Sequence, residues 1–165
     1  MSSVITMDQI RVTGLPRDMG RQQGEMLRER INAFTEGRFS AVATYCDERG
    51  YTLEGFRAIG EASVRIVRDW DPEGYAEHEG IAEGAGIDPV DLYLATNMTD
   101  MRDALVLGSP PPADTEGCSA ALIPASRTAD GMAIAGQTWD LNPPDIEYIV
   151  AVHRKPDFGP ASWTV

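Results

Sequence analysis

Ten residues in the second half of the chain, Gly108 to Gly117 (GSPPPADTEG), decide how the remainder can be organised. Three prolines fix φ and remove backbone donors, and a glycine at each end adds freedom, so neither a helix nor a strand ladder is expected to run through them. The hydrophobic pattern changes across this segment. From about Pro16 to Asp103 apolar residues recur at helical spacing; from Cys118 onward they form short runs rich in β-branched and small residues. The order is helices, exposed linker, strands, which predicts an α+β protein. Linkers of this composition are also where chains tolerate being cut.

On the helical side a short strand is expected over Ile10 to Thr13. Pro16 suits the first turn of a helix, where its missing N–H costs nothing. Met26, Leu27, Ile31 and Phe34 form one apolar stripe, and the helix runs to Gly50 with a break near Gly37. Cys46 lies on this pattern and reads as a small buried hydrophobe. Thr52 is the N-cap of a second helix carrying Phe56, Ile59, Val64 and Val67, which stops at Trp70-Asp71-Pro72. A third covers Glu73 to Glu83 and ends at Gly84-Ala85-Gly86. Gly80 to Gly86 (GIAEGAG) follows a helix, so it reads as a tight connection between helices and not as a phosphate loop. Asp88-Pro89 supplies N-cap and first turn for a fourth helix, Val90 to about Arg102.

On the strand side, CSAALIP and MAIAGQTW are expected to pair as a hairpin through a turn at Ser126 to Gly131. Ile146 to His153 is a third strand and Ala161 to Val165 the start of a fourth. The sequence stops within what reads as a strand. Three or four strands leave unpaired edges, so further polypeptide, from the same gene product or a partner, is expected to complete the sheet.

Charge limits the partners. Against 26 acidic residues stand 14 basic ones, a net charge of −12, and Lys155 is the single lysine. Such a surface repels phosphate backbones and anionic lipid, which argues against nucleic-acid and membrane partners. No run reaches the ~18 apolar residues of a membrane span, and MSSVITMDQIRV does not read as a secretory signal. Cys46 and Cys118, far apart and in different contexts, do not form a disulfide framework; a reducing, cytoplasmic setting is expected. No cluster has metal-ligand spacing, and no metal or cofactor is expected.

The chemistry concentrates where linker meets strand, at Glu116-Gly117-Cys118-Ser119. A thiol that attacks the carbonyl of its preceding residue rearranges the peptide to a thioester, and hydrolysis then frees the chain. Gly117 places no side chain in the way. The new α-amine, with a reference pKa near 8, can serve as general base on the nucleophile's own residue. A Cys–His pair is the other arrangement, but His78 and His153 both read as surface residues and no spacing favours them. In Gly136-Gln137-Thr138-Trp139-Asp140 a hairpin can bring the strand end near Cys118. Asp140 could orient an α-ammonium there and Trp139 line an apolar pocket. On residue chemistry alone Asp140 reads more simply as a turn residue before Leu141-Asn142-Pro143-Pro144.

Read together, Gly80 to Asp100 (GIAEGAGIDPVDLYLATNMTD), Glu116 to Pro124 (EGCSAALIP) and Asp130 to Asp140 (DGMAIAGQTWD) resemble the isopenicillin N acyltransferase family of N-terminal-nucleophile cysteine hydrolases. Gly20 to Gly24 (GRQQG) is similar to that family's early glycine-containing helix. Asn97 to Arg102 departs from the family's Asn-x-Arg-Thr-Glu. The resemblance implies a four-layer αββα sandwich, incomplete here, with residues 1–117 as a helical pro-segment and 118–165 as the start of the catalytic β-region. It implies autocleavage between Gly117 and Cys118, Cys118 as the acylated nucleophile, Asp140 as its orienting partner, and Trp139 and Gln137 at the substrate pocket. The implied activity is amide cleavage or formation on a small-molecule amide or acyl substrate, in a zymogen-derived heterodimer with a complementary chain that brings the oxyanion hole. A non-catalytic or unprocessed relative, acting as a binding or assembly subunit, is the other reading.

Overall fold

The computed structural model describes residues 7–105, 118–138 and 143–165. They fall into two compact units, one drawn from Met1–Gly108 with Tyr148–Val165 and the other from Ser109–Glu147. The described residues are of mixed α and β structure, mainly helical, with two small sheets.

In the first unit, β1 (Asp8–Gly14) leads into α1 (Pro16–Met26), α2 (Arg28–Arg49), α3 (Leu53–Trp70), α4 (Pro72–Ala85), α5 (Pro89–Thr96) and α6 (Met98–Leu105). After the 3-10 segment Pro143–Tyr148, β4 (Val150–Pro156) and β5 (Ser162–Thr164) return to β1; β2 and β3 belong to the second unit, described below. The sheet order is β1-β4-β5. β4 pairs antiparallel with β5 but parallel with β1, in register from Asp8 opposite Val150 to Gly14 opposite Pro156. The strands after residue 118 pair antiparallel, as β2 with β3 and β4 with β5, while β1, for which the sequence names no partner, joins β4 in parallel. A parallel pair needs a crossover, and here the helices and the second unit's residues supply it.

Several helix ends follow the sequence signals. Thr52 Oγ1 accepts from the Gly55 N–H at 3.0 Å, and Asp71 caps Gly74 at the same distance. Asp88 accepts from Val90 and Asp91. Each satisfies donors that a helix N-terminus otherwise leaves unpaired.

Other boundaries differ. Gly37 lies inside an unbroken α2, and the bend comes at Leu27 (φ −112°, ψ 15°), between α1 and α2. Just past this break the start of α2 is tied to the end of α4: Arg28 donates to the Gly84 carbonyl at 3.1 and 2.9 Å, and Asn32 to the Ala85 carbonyl at 3.0 Å. The expected single fourth helix divides at Asn97. The Thr96 hydroxyl and the Asn97 amide both bond back to the Tyr93 carbonyl and compete with the helical ladder. β4 begins at Val150 and not at Ile146, because Pro143-Pro144 favours a tight turn and Tyr148 docks edge-on against Phe34 of α2.

Gly80 and Gly84 are not part of a connection. With Gly20 and Gly24 they line the contact between α1 and α4. A Cβ on Gly20, Gly24, Gly80 or Gly84 would stand 1.9, 2.2, 2.2 or 2.3 Å from the carbonyl oxygen of Glu77, Ile81, Arg17 or Arg21 respectively. The helices therefore meet backbone to backbone. Only Gly86, at φ +75°, makes the connection: the N–H groups of Gly86 and Ile87 close the end of α4 onto Ala82.

Two apolar clusters hold this unit. Val42, Cys46, Phe56, Leu94 and Met101 join α2, α3, α5 and α6; Val12, Met19, Val150 and Val152 join the sheet to α1. Burying a side chain such as Phe56 or Leu94 completely contributes about 1.5–3 kcal/mol. Arg154 of β4 binds across this second junction. It donates to Glu77 of α4, to Gln23 of α1 at 3.0 Å and to the Thr164 hydroxyl of β5.

Candidate functional site

The second unit presents β2 (Ser119–Ile123) antiparallel to β3 (Ile134–Thr138), joined by a 3-10 turn, Ala125–Arg127, and a bend at Gly131 with φ +71°. Small and β-branched residues form the ladder, and the Asp130 carboxylate fixes the bend by accepting from the Met132 N–H at 3.1 Å. The hairpin is the one the sequence predicts. Every residue of both strands is exposed, including Leu122 at 83%.

Cys118 immediately precedes β2; its thiol is free and exposed. Ser119 pairs with Thr138, and Ala120 with Gln137. The Thr138 hydroxyl lies 3.0 Å from the Ser119 nitrogen and 3.4 Å from its carbonyl oxygen, so one side chain clasps both backbone groups of the residue after the cysteine. By the period of two along a strand, position 118 shares its face with Ala120 and hence with Gln137. Gln137 is exposed on β3. Gly117, Trp139 and Asp140 lie outside the described residues. Cys118 and Gln137 are thus brought to one end of one hairpin. Sequence reasoning passes over Thr138, whose only signal is a hydroxyl residue two positions before an aspartate at the end of a strand.

The second cysteine has the opposite character. Cys46 is 3% exposed within the helical core, and burial pushes its thiol up, away from the reactive thiolate. It is the buried hydrophobe that the helical pattern predicts.

Neither histidine is the surface residue expected. His78 is half-buried, with Nε2 at 2.7 Å from the Pro89 carbonyl oxygen and its ring between those of Tyr75 and Tyr93. Removal from water holds it below the ordinary histidine range, and the Pro89 bond offsets this in part. In sequence the position reads as solvated because its neighbours Glu77 and Glu79 are charged. His153, also half-buried, stacks on Trp163 at 4.6 Å and accepts from Arg11 Nε at Nδ1. Both belong to the first unit, Cys118 to the second.

A cleft of about 330 Å³ opens in the first unit, lined by Asn32, Thr35, Glu36, Phe39 and Asp91. Its Asp91 is already paired with Arg57, which also meets Asp88 at 3.3 Å. Among the described residues no three His, Cys, Asp or Glu side chains group as metal ligands, and no helix is long and apolar enough to cross a membrane.

Compared with known proteins, the chain matches no family profile and no curated sequence.

Proposed function

We propose that this chain supplies the pro-segment and nucleophile strand of a self-processing cysteine amidohydrolase or acyltransferase of the N-terminal-nucleophile type. The supporting observation is the placement of Cys118. It is a free, exposed thiol at the foot of β2, beside a strand end that carries Gln137 and is locked to it by Thr138.

In the proposed maturation, the Cys118 sulfur attacks the Gly117 carbonyl carbon and the peptide nitrogen leaves as the α-amine. Water then cleaves the resulting thioester, freeing a Gly117 carboxylate and the Cys118 thiol. In turnover the α-amine takes the thiol proton, the sulfur attacks a small-molecule amide, and the leaving amine departs protonated. Water on the thioester gives hydrolysis; a second amine gives transfer. Asp140 would hold the α-ammonium by charge-assisted hydrogen bonds, and Trp139 and Gln137 would border the acyl group. The αββα sandwich, a complementary chain completing the catalytic sheet and a cytoplasmic setting are parts of the same proposal.

Intact-protein mass measured under denaturing conditions tests it. The wild-type chain is expected to yield fragments that part between Gly117 and Cys118, and the Cys118→Ala chain to remain whole. Should both stay whole with the completing polypeptide supplied, maturation at Cys118 is wrong, and a non-catalytic binding subunit becomes the better description.

A further inference from the structure

Asn32, Thr35, Glu36 and Phe39 fall on one face of α2, spaced at i, i+3, i+4 and i+7. With Asp91, from the first turn of α5, they line the cleft of about 330 Å³. Beyond Phe39 the same helix enters the apolar cluster of Val42, Cys46, Phe56 and Leu94. Phe39 packs on that cluster, its ring edge-on to Phe56 with centroids 6.5 Å apart, and gives the cleft a fixed apolar wall. The remaining lining is polar.

Those polar groups have acceptors to offer and no donor to receive. The Asn32 amide nitrogen donates to the Arg28 carbonyl at 2.8 Å and the Ala85 carbonyl at 3.0 Å. Flipping the amide would set its oxygen against two carbonyls, so Oδ1 is left as the accepting side. Helical threonines elsewhere return their hydroxyls to a carbonyl one turn back, Thr44 to Ser40 at 3.1 Å and Thr96 to Leu92 at 3.0 Å. Thr35 does not. It is 9% exposed, and its Oγ1 is withdrawn from water with no partner among the described residues. A hydroxyl left this way is costly unless something else bonds to it. Threonine has two rotamers open to it in a helix, so this hydroxyl can turn to a ligand in the cleft. Asp91 gives one oxygen to Arg57, and its other accepts from no described residue. Glu36, the exposed member of the lining, has neither ion pair nor hydrogen bond among the described residues.

Charge selects a cation. Two carboxylates line the cleft and, among the described residues, no basic side chain does. Arg57 of α3, which reaches Asp91, also meets Asp88 at 3.3 Å and Glu61 at 3.4 Å, so three carboxylates surround one guanidinium. On α2, Arg28 is turned to the Gly84 carbonyl, and Arg38 lies over the Phe34 ring at 5.0 Å and against Met98. We infer that the cleft binds a small primary amine, as its ammonium, with a short apolar stem. Three rotatable ammonium donors suit acceptors spread over Asn32, Thr35, Glu36 and Asp91 better than a planar guanidinium fork does. The stem lies along Phe39. A volume at the lower end of the range for ligand pockets keeps the amine small. The site lies between helices of the first unit and does not depend on Cys118.

The test is a titration of the full chain with butylamine hydrochloride at constant ionic strength, following the Asn32 side-chain amide and Phe39 ring resonances. Butanol and ammonium chloride serve as the stem without the charge and the charge without the stem. Butylamine is expected to give a saturable shift at millimolar concentration, and each partial probe to bind about tenfold more weakly or less. Glu36→Gln, at an exposed position that does not endanger the fold, is expected to weaken butylamine about two- to fivefold, as loss of an exposed ion pair does. Thr35→Val keeps the shape and is expected to weaken it about two- to tenfold, the loss of one hydrogen bond. The same variant should hold or raise the urea midpoint, because the free chain loses an unpaired buried hydroxyl. Absence of saturable butylamine binding to the wild-type chain overturns the inference. Equal binding of butanol overturns it as well and marks a merely apolar crevice; equal binding of ammonium chloride does so and marks a general cation site. Undiminished affinity in either variant overturns it too, since both side chains are assigned to the ammonium.

Discussion

The backbone oxygen of Glu77 occupies the space that a Cβ on Gly20 would need, 1.9 Å from its ideal position. The obstacle is a helix carbonyl, which cannot swing aside as a side chain can. Gly20→Ala must therefore push α1 from α4 and with it the Val12–Met19 cluster. A loss of about 2 kcal/mol is expected, since overpacking costs exceed the helix-propensity gain of alanine. Gly37 is the contrast, because a Cβ placed there would meet nothing within 4 Å. Gly37→Ala should gain about 0.5–1 kcal/mol in the middle of α2. Urea unfolding midpoints of the two variants should move in opposite directions; movement in the same direction would refute the close packing.

Glu77 also receives Arg154, and both side chains are largely withdrawn from water, at 19% and 18% exposure. Removing one partner strands the other. Glu77→Ala is expected to cost about 1.5–3 kcal/mol, the range for hydrogen bonds to charged groups. The double variant Glu77→Ala, Arg154→Ala should cost less than the two single changes added together. Strict additivity in denaturant titrations would mean that the pair contributes nothing.

His78 predicts a pH dependence whose sign follows from its environment. Burial holds its folded-state value below the ordinary 6.5, so as pH falls the unfolded chain takes up the proton first. The stability that depends on neutral His78 is complete above about pH 6.5 and is lost as the pH falls through the folded value. His78→Gln keeps an N–H donor for the Pro89 carbonyl and cannot titrate in this window. Unfolding midpoints compared between about pH 8 and pH 5 should fall less for this variant than for the wild type.

Thr138 holds Ser119, the residue on which the Cys118 peptide is mounted. On the proposed maturation, Thr138→Val should slow fragment formation about two- to tenfold, matching one exposed hydrogen bond of roughly 0.5–1.5 kcal/mol. Thr138→Ser should restore the rate. The time course of intact mass reads this directly, and an unchanged rate in the valine variant would remove Thr138 from any positioning role.

Much of the architecture is legible in the sequence because its signals are local. Thr52, Asp71, Asp88 and Gly86 act within four residues of themselves, and they mark four helix boundaries. The hairpin likewise follows from two short runs and a turn. What stays hidden depends on residues distant in the chain. Gly20, Gly24, Gly80 and Gly84 acquire their meaning only when α1 meets α4, and separately they look like flexible joints. The parallel pairing of β1 with β4 joins Arg11 to a residue 142 positions away, and no periodicity specifies it. Of the candidate site, the cysteine at the strand start and its hairpin neighbour Gln137 are readable from motif order. The clasp by Thr138 is not, since it rests on strand register.

The partnership of β1 with β4 also decides what a broken chain would do. Seven residues from each side of the linker lie edge to edge, and Arg154 ties the later strand to Gln23 and Glu77 of the earlier helices. A nick anywhere between Leu105 and Pro143, whatever its origin, would sever covalent continuity without undoing that seam. The two pieces should co-elute in native buffer and separate only in denaturant, behaving as a split protein whose halves were never independent folds.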